Sequence, residues 1–185
     1  MYTRYLEDQI KTSLLEGLVV VVYGARQVGK TTLAKKIMTD YRNPLYINAD
    51  EITERLRLQN KSSLELKDFF GRTDMVIIDE AQRVENIGLT AKIVHDTYPE
   101  IKILLTGSSS LDLATKIKEP LTGRSVEFNL YPLSLDEVAF NNAEKESAMK
   151  RALVYGSYPA MWTMSPNQSI ERLRLLATNY ISGYL

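Results

Sequence analysis

Apolar positions along this chain follow two alternating periods. Residues 1–16 carry Tyr5, Leu6, Ile10 and Leu14 at helical spacing and predict an amphipathic helix ended by Gly17. Leu18 to Tyr23 follow as an unbroken, mostly β-branched run, the pattern of a strand buried on both faces. Helical spacing resumes over 30–38 through Leu33, Ile37 and Met38. Residues 44–48 predict a second strand, 51–70 a polar helix, 75–78 a third strand, and 87–98 a helix stopped by Pro99. A fourth strand over 101–105 leads into Thr106-Gly107-Ser108-Ser109-Ser110. A helix over 111–117 is broken by Pro120, and a fifth strand over 125–130 alternates Val126, Phe128 and Leu130. Repeated strand–helix units with buried central strands predict an α/β fold, a doubly wound parallel sheet of five strands.

Beyond Pro132 the pattern contains helices alone, over 134–140, 143–154 and 170–184. A boundary is therefore expected near residue 131, dividing a core (1–131) from a helical lid segment (132–185). No terminator closes the last helix, so the chain is expected to be a truncated piece of a longer protein.

Composition narrows the chemistry. The 185 residues contain no cysteine and a single histidine, His95, which excludes a disulfide scaffold, a Cys-ligated zinc site and a multi-histidine metal centre. Basic and acidic residues number 23 each, so the formal charge is zero and any nucleic-acid contact must be a local patch. The longest apolar run is far shorter than the ~20 residues of a membrane span. The N-terminus is too polar for a secretory signal. A soluble, cytoplasmic protein with no membrane partner is expected.

Between the first strand and the next helix lies Gly24-Ala25-Arg26-Gln27-Val28-Gly29-Lys30-Thr31, a full match to the phosphate-loop pattern G-x-x-x-x-G-K-[ST]. Glycines let the backbone curl so that successive N–H groups converge on a phosphate, and the helix that follows aims its positive end at the same point. Lys30 supplies a charge for the β- and γ-phosphates, and the Thr31 hydroxyl can ligate Mg²⁺. The third strand closes on Asp79-Glu80: Asp79 is placed to hold Mg²⁺ through a water, Glu80 to orient or deprotonate the attacking water. Thr106 and Ser108, at the end of the fourth strand, both qualify to bond the γ-phosphate or that water. Arg124, just before the fifth strand, is placed either as an arginine finger on a neighbouring subunit's ATP or in a surface salt bridge. Arg26 reads as a surface or phosphate-side contact, and His95 as structural. No guanine-reading Asn/Thr-Lys-x-Asp motif is present, which favours ATP over GTP, and no Leu-Ser-Gly-Gly-Gln signature of ABC ATPases appears.

With these residues in view the chain resembles the AAA-type P-loop ATPases of bacteria and archaea over essentially its whole length. The resemblance rests on Gly24 to Thr32, Ile78-Asp79-Glu80-Ala81-Gln82, Leu105 to Ser110, Leu121-Thr122-Gly123-Arg124, Tyr131-Pro132-Leu133-Ser134 and Gly156-Ser157-Tyr158-Pro159. It implies an AAA+ core of the ASCE type, with Asp79 and Glu80 as the Walker B pair and Thr106 or Ser108 as sensor. It also implies that the Gly156–Pro159 turn lies near the adenine. The nucleotide-binding set is then Gly24, Ala25, Arg26, Gln27, Val28, Gly29, Lys30, Thr31, Thr32, Ser108 and Pro159. Lys30, Glu80, Thr106 and Arg124 form the catalytic set, with Thr31 and Asp79 on the metal. Such proteins generally continue into a C-terminal domain resembling nuclease folds.

The expected activity is Mg²⁺-dependent binding and hydrolysis of ATP, coupling nucleotide state to movement of a C-terminal domain. A slowly hydrolysing or non-hydrolysing nucleotide switch or scaffold is the alternative. A homo-oligomer, and nucleic acid reached through the missing C-terminal domain, are the partners left open. A small-molecule kinase would need an arginine-rich lid, which Arg172 and Arg174 do not make.

Overall fold

Five parallel strands carry the architecture: β1 (Val19–Tyr23), β2 (Pro44–Asn48), β3 (Met75–Asp79), β4 (Lys102–Gly107) and β5 (Ser125–Asn129), in the order β2-β3-β4-β1-β5. They belong to a computed structural model that describes residues 2–108 and 110–182. Ser109 of the predicted Thr106–Ser110 turn and residues 183–185 of the predicted last helix lie outside the described residues. β1 and β3 are buried at every position, as expected of unalternating apolar runs in the middle of a parallel sheet.

Because side chains alternate across a strand, Val19, Val21, Tyr23, Val76, Ile78 and Leu105 share one face. That face is covered by Leu66 and Phe70 of α4 (Ser63–Phe70), Ile87, Ala91 and Val94 of α5 (Ile87–Thr97), and Leu113 and Ile117 of α6 (Ser110–Ile117). α1 (Leu6–Leu15) and α2 (Lys30–Met38) pack on β1, β3 and β4, burying Ile10, Leu14, Leu33 and Ile37. Glu7 fastens these two helices, accepting from Lys36 at 2.6 Å and from Lys11 at 2.9 Å. The sheet is doubly wound, an α/β fold of five parallel strands, as the alternation predicts.

Three local predictions need correction. The helix expected over 1–16 begins only at Leu6. The helix expected over 51–70 is two: α3 (Ile52–Leu58) and α4, separated at Asn60, whose φ is 53°. Ser62 starts the second with a capping box, accepting from the Glu65 N–H at 3.3 Å and donating its own N–H to the Glu65 carboxylate at 2.9 Å. The helix expected over 134–140 is the short α7 (Leu135–Val138), opened by a capping box between Ser134 and Glu137.

Tyr5–Leu130 form one compact unit. The second comprises the chain from Tyr131 on, together with the N-terminal residues through Arg4. It holds α7, α8 (Asn142–Tyr155), a 3₁₀ turn (Pro159–Trp162) and α9 (Pro166–Ser182). Within it, Arg4 donates to Glu137 at 3.1 Å and to the Tyr131 carbonyl. Among the described residues no helix is long and apolar enough to cross a membrane.

Candidate nucleotide-binding site

The sheet register sets the site. Val22 pairs with Thr106, Ile78 with Leu105, and Asn48 with Asp79, so the carboxyl ends of β1 to β4 finish side by side. From the end of β1 the chain curls into the loop. A Cβ on Gly24 would lie 2.4 Å from the Leu130 carbonyl oxygen and 3.0 Å from Val28 Cγ2, so only glycine fits. Val28 is fully buried and anchors the loop, while Ala25, Arg26 and Gln27 are exposed at its tip. Gln27 and Gly29 adopt left-handed φ values of 69° and 101°; left-handed residues beside right-handed ones form the nest that gathers N–H groups around an anion.

Lys30 opens α2 and is nearly closed to solvent. Its Nζ donates to the carbonyls of Gly24 (2.8 Å) and Ala25 (3.0 Å). Burial draws its pKa below the ordinary lysine value, against the pull of Glu80 and Asp79.

Asp79 ends β3 and is buried. Its Oδ2 accepts from Thr31 Oγ1 and from the Tyr46 hydroxyl, each at 2.6 Å, and its Oδ1 accepts from Thr106 Oγ1. Burial alone would raise this carboxyl's pKa; the hydroxyls of Thr106, Thr31 and Tyr46 together reverse that and hold it below 3.8, its ordinary value. Tyr46, half-buried and bonded to a carboxylate, has its own pKa raised. Glu80 follows with φ 54°, and its Oε2 accepts from Gln82 Nε2 (2.5 Å) and Ser108 Oγ (3.0 Å).

A cavity of about 340 Å³ opens over these groups. Arg26, Gln27, Gly29, Lys30, Thr31 and Thr32 line it from the loop and α2, and Glu80 from the end of β3. Two further residues, Asp50 and Arg83, complete the wall and are joined by an ion pair of 2.5 Å. The adjacent Thr31 hydroxyl and Asp79 carboxylate offer the hard oxygen donors that suit Mg²⁺, which takes one or two protein oxygens besides phosphates and water. Among the described residues no cluster of three acidic or histidine side chains offers a larger metal site.

Most of the predicted residues converge at this end of the sheet. Thr106 departs from the sensor reading: it is fully buried, and its hydroxyl is directed to Asp79 rather than to the cavity. Ser108 stands behind Glu80. Arg124 lies at the opposite end of the sheet, its carbonyl accepting from Val19 N–H at 2.9 Å and its guanidinium donating to Asp96 at 2.8 Å. Pro159 opens the 3₁₀ turn of the second unit. Tyr46, Asp50, Gln82 and Arg83 were not foreseen. Tyr46 left a trace, a hydroxyl-bearing residue near the carboxyl end of a strand beside that of Asp79.

Residues 16–139 match the family model described as an AAA domain. An uncharacterized protein of Methanocaldococcus jannaschii is 25% identical over 91% of this chain and 42% of its own length. An uncharacterized protein of Mycobacterium tuberculosis is 26% identical over 96% of this chain and 37% of its own length. This chain thus spans about two-fifths of the length of the curated relatives it matches. Among solved structures, the Walker-type ATPase PABY2304 of Pyrococcus abyssi superposes with a TM-score of 0.67 at 18% identity, over 100% of this chain and 74% of its own. The Orc1 protein of Aeropyrum pernix, solved in complex with DNA, gives 0.52 at 14% identity over 75% and 47%. Both share the fold, and with the family match covering the whole sheet and its phosphate loop, the chain belongs to the AAA domain family of P-loop NTPases.

Proposed function

We propose that this chain binds ATP with Mg²⁺ and hydrolyses it. The observation that carries the reading is the 2.6 Å hydrogen bond from Thr31 to Asp79, at the foot of a loop whose lysine and whose neighbouring Glu80 face the same cavity. Thr31 and Asp79 would hold the ion, which when bound neutralises charge on the phosphate oxygens. Lys30 exchanges the Gly24 and Ala25 carbonyls for phosphate oxygens. The nest from Ala25 to Gly29 binds the β-phosphate through backbone N–H groups. Glu80 orients the attacking water and takes its proton, and Thr106 acts through Asp79 by fixing its rotamer. Arg124, remote from its own loop, serves a neighbouring subunit. The helical segment that begins at residue 132 responds to nucleotide state. Nucleic acid is a further partner in this reading, supported by the likeness in fold to the Orc1 protein solved in complex with DNA.

The Glu80 carboxylate is already engaged by Gln82 and Ser108, which favours a second reading, a switch that turns over slowly. One set of proteins tests both. Nucleotide at ~100 times its Kd should stabilise the fold by about 2.7 kcal/mol, a rise of roughly 5–10 °C in Tm. Lys30→Ala should lose most of that rise; an unchanged shift refutes the phosphate site. Glu80→Gln should keep the shift and lose turnover by roughly 10²–10⁴. Equal, slow hydrolysis in both proteins selects the switch.

A further inference from the structure

Arg83 is, with its partner Asp50, a cavity residue to which the phosphate loop and the Asp79-Glu80 pair give no role. It closes the 3₁₀ turn Ala81–Arg83 directly after Glu80, and its N–H donates to the Glu80 carbonyl at 3.0 Å. Its position is thus tied by one short turn to the residue beside which the terminal phosphate would lie. Its guanidinium lines the same cavity as Lys30 and Thr31, half exposed, and its Nε meets Asp50 Oδ1. Asp50 follows β2 in a turn in which its N–H donates to the Asn48 side chain at 3.1 Å, and its carboxylate is 51% exposed. A pair this exposed contributes little to stability, because both ions are well hydrated without it. A guanidinium fork, by contrast, matches two phosphate oxygens at once.

We infer that Arg83 contacts the terminal phosphate of a bound nucleoside triphosphate, leaving Asp50 to do so, and that this exchange lets the site distinguish triphosphate from diphosphate. The inference rests on the nucleotide reading above and deepens it. Asp50 keeps the cation at the rim when no terminal phosphate competes for it. The diphosphate, gripped by the loop and Lys30, leaves the Arg83–Asp50 pair intact.

Calorimetric titration with Mg²⁺-ADP and with a Mg²⁺-bound non-hydrolysable ATP analogue tests this on the wild-type chain, Arg83→Ala, Arg83→Lys and Asp50→Asn. Arg83→Ala should weaken the analogue roughly tenfold or more and move ADP by less than about twofold. Arg83→Lys, which keeps the charge and loses the fork, should fall between. Asp50→Asn should tighten the analogue by about two- to fivefold, since an exposed partner is removed. Equal loss of both nucleotides in Arg83→Ala, or weaker analogue binding in Asp50→Asn, overturns the exchange. If the wild-type chain binds neither nucleotide, the underlying reading fails as well, which Lys30→Ala as a reference makes plain.

Discussion

Two aspartates at opposite ends of the same sheet are both held ionised, by different means. Asp96, at the amino-terminal end, is exposed and has its pKa drawn down to about 2 by the Arg124 guanidinium and then by His95. Asp79, at the carboxyl end, is buried and is surrounded by three hydroxyls, none of them charged. The first carboxylate has its charge neutralised by a neighbour, so nothing remains to attract a further cation. Hydroxyls stabilise the second through dipoles and leave its full negative charge in place, in surroundings where a charge acts over a longer range than in water. A structural aspartate and one suited to a metal ion are distinguished by what solvates them, not by how acidic they are.

The sharpest way to break this contrast is Asp79→Ala. Hydrolysis should fall by roughly 10²–10³ or more, because the ion supplies several kcal/mol of charge stabilisation. Stability should fall by about 1–3 kcal/mol, since the fully buried Thr106 hydroxyl loses its acceptor. Equal turnover in the two proteins would remove Asp79 from the site.

A smaller effect is expected from Thr106→Val, measured by denaturant unfolding at pH 7 and pH 3. With its folded pKa below 3.8, Asp79 contributes stability at every pH above that value and loses it as pH falls through the depressed value. Removing the Thr106 hydrogen bond raises the folded pKa, so the variant should be less stable at pH 7 by about 1 kcal/mol and lose less on acidification. An acid response identical to that of the wild-type chain would contradict the hydroxyl account.

The smallest effect is at Asp96. Arg124→Ala should barely change stability, and 1 M salt should erase the difference, because the pair is exposed and screened. If Arg124 serves a neighbour, the same variant should lower turnover only at protein concentrations where subunits associate. Concentration-independent turnover in the wild-type chain would count against that role.

The sheet and its phosphate loop were legible because local sequence dictates them. Val19 to Val22 have no polar face to turn outward, and Gly24, Gly29, Lys30 and Thr31 are adjacent in the chain. The break at Asn60 was legible in part: Ser62 and Glu65 have capping-box spacing, but a continuous polar pattern masked the junction. Tyr46, Asp50 and Arg83 were opaque for another reason. Tyr46 meets Asp79 only because β2 pairs with β3, and Asp50 meets Arg83 only because both follow those neighbouring strands. Such meetings depend on strand order and register, which apolar periodicity does not encode.

The close fit of Gly24 against Leu130 has a mechanical consequence. Leu130 also donates its N–H to the Tyr23 carbonyl at 2.7 Å, so the peptide entering the loop and the peptide leaving the last strand are latched together, far apart though they are in sequence. A displacement at the mouth of the loop of the size that one extra methyl would force reaches the exit from the sheet across a single joint, without repacking the interior between.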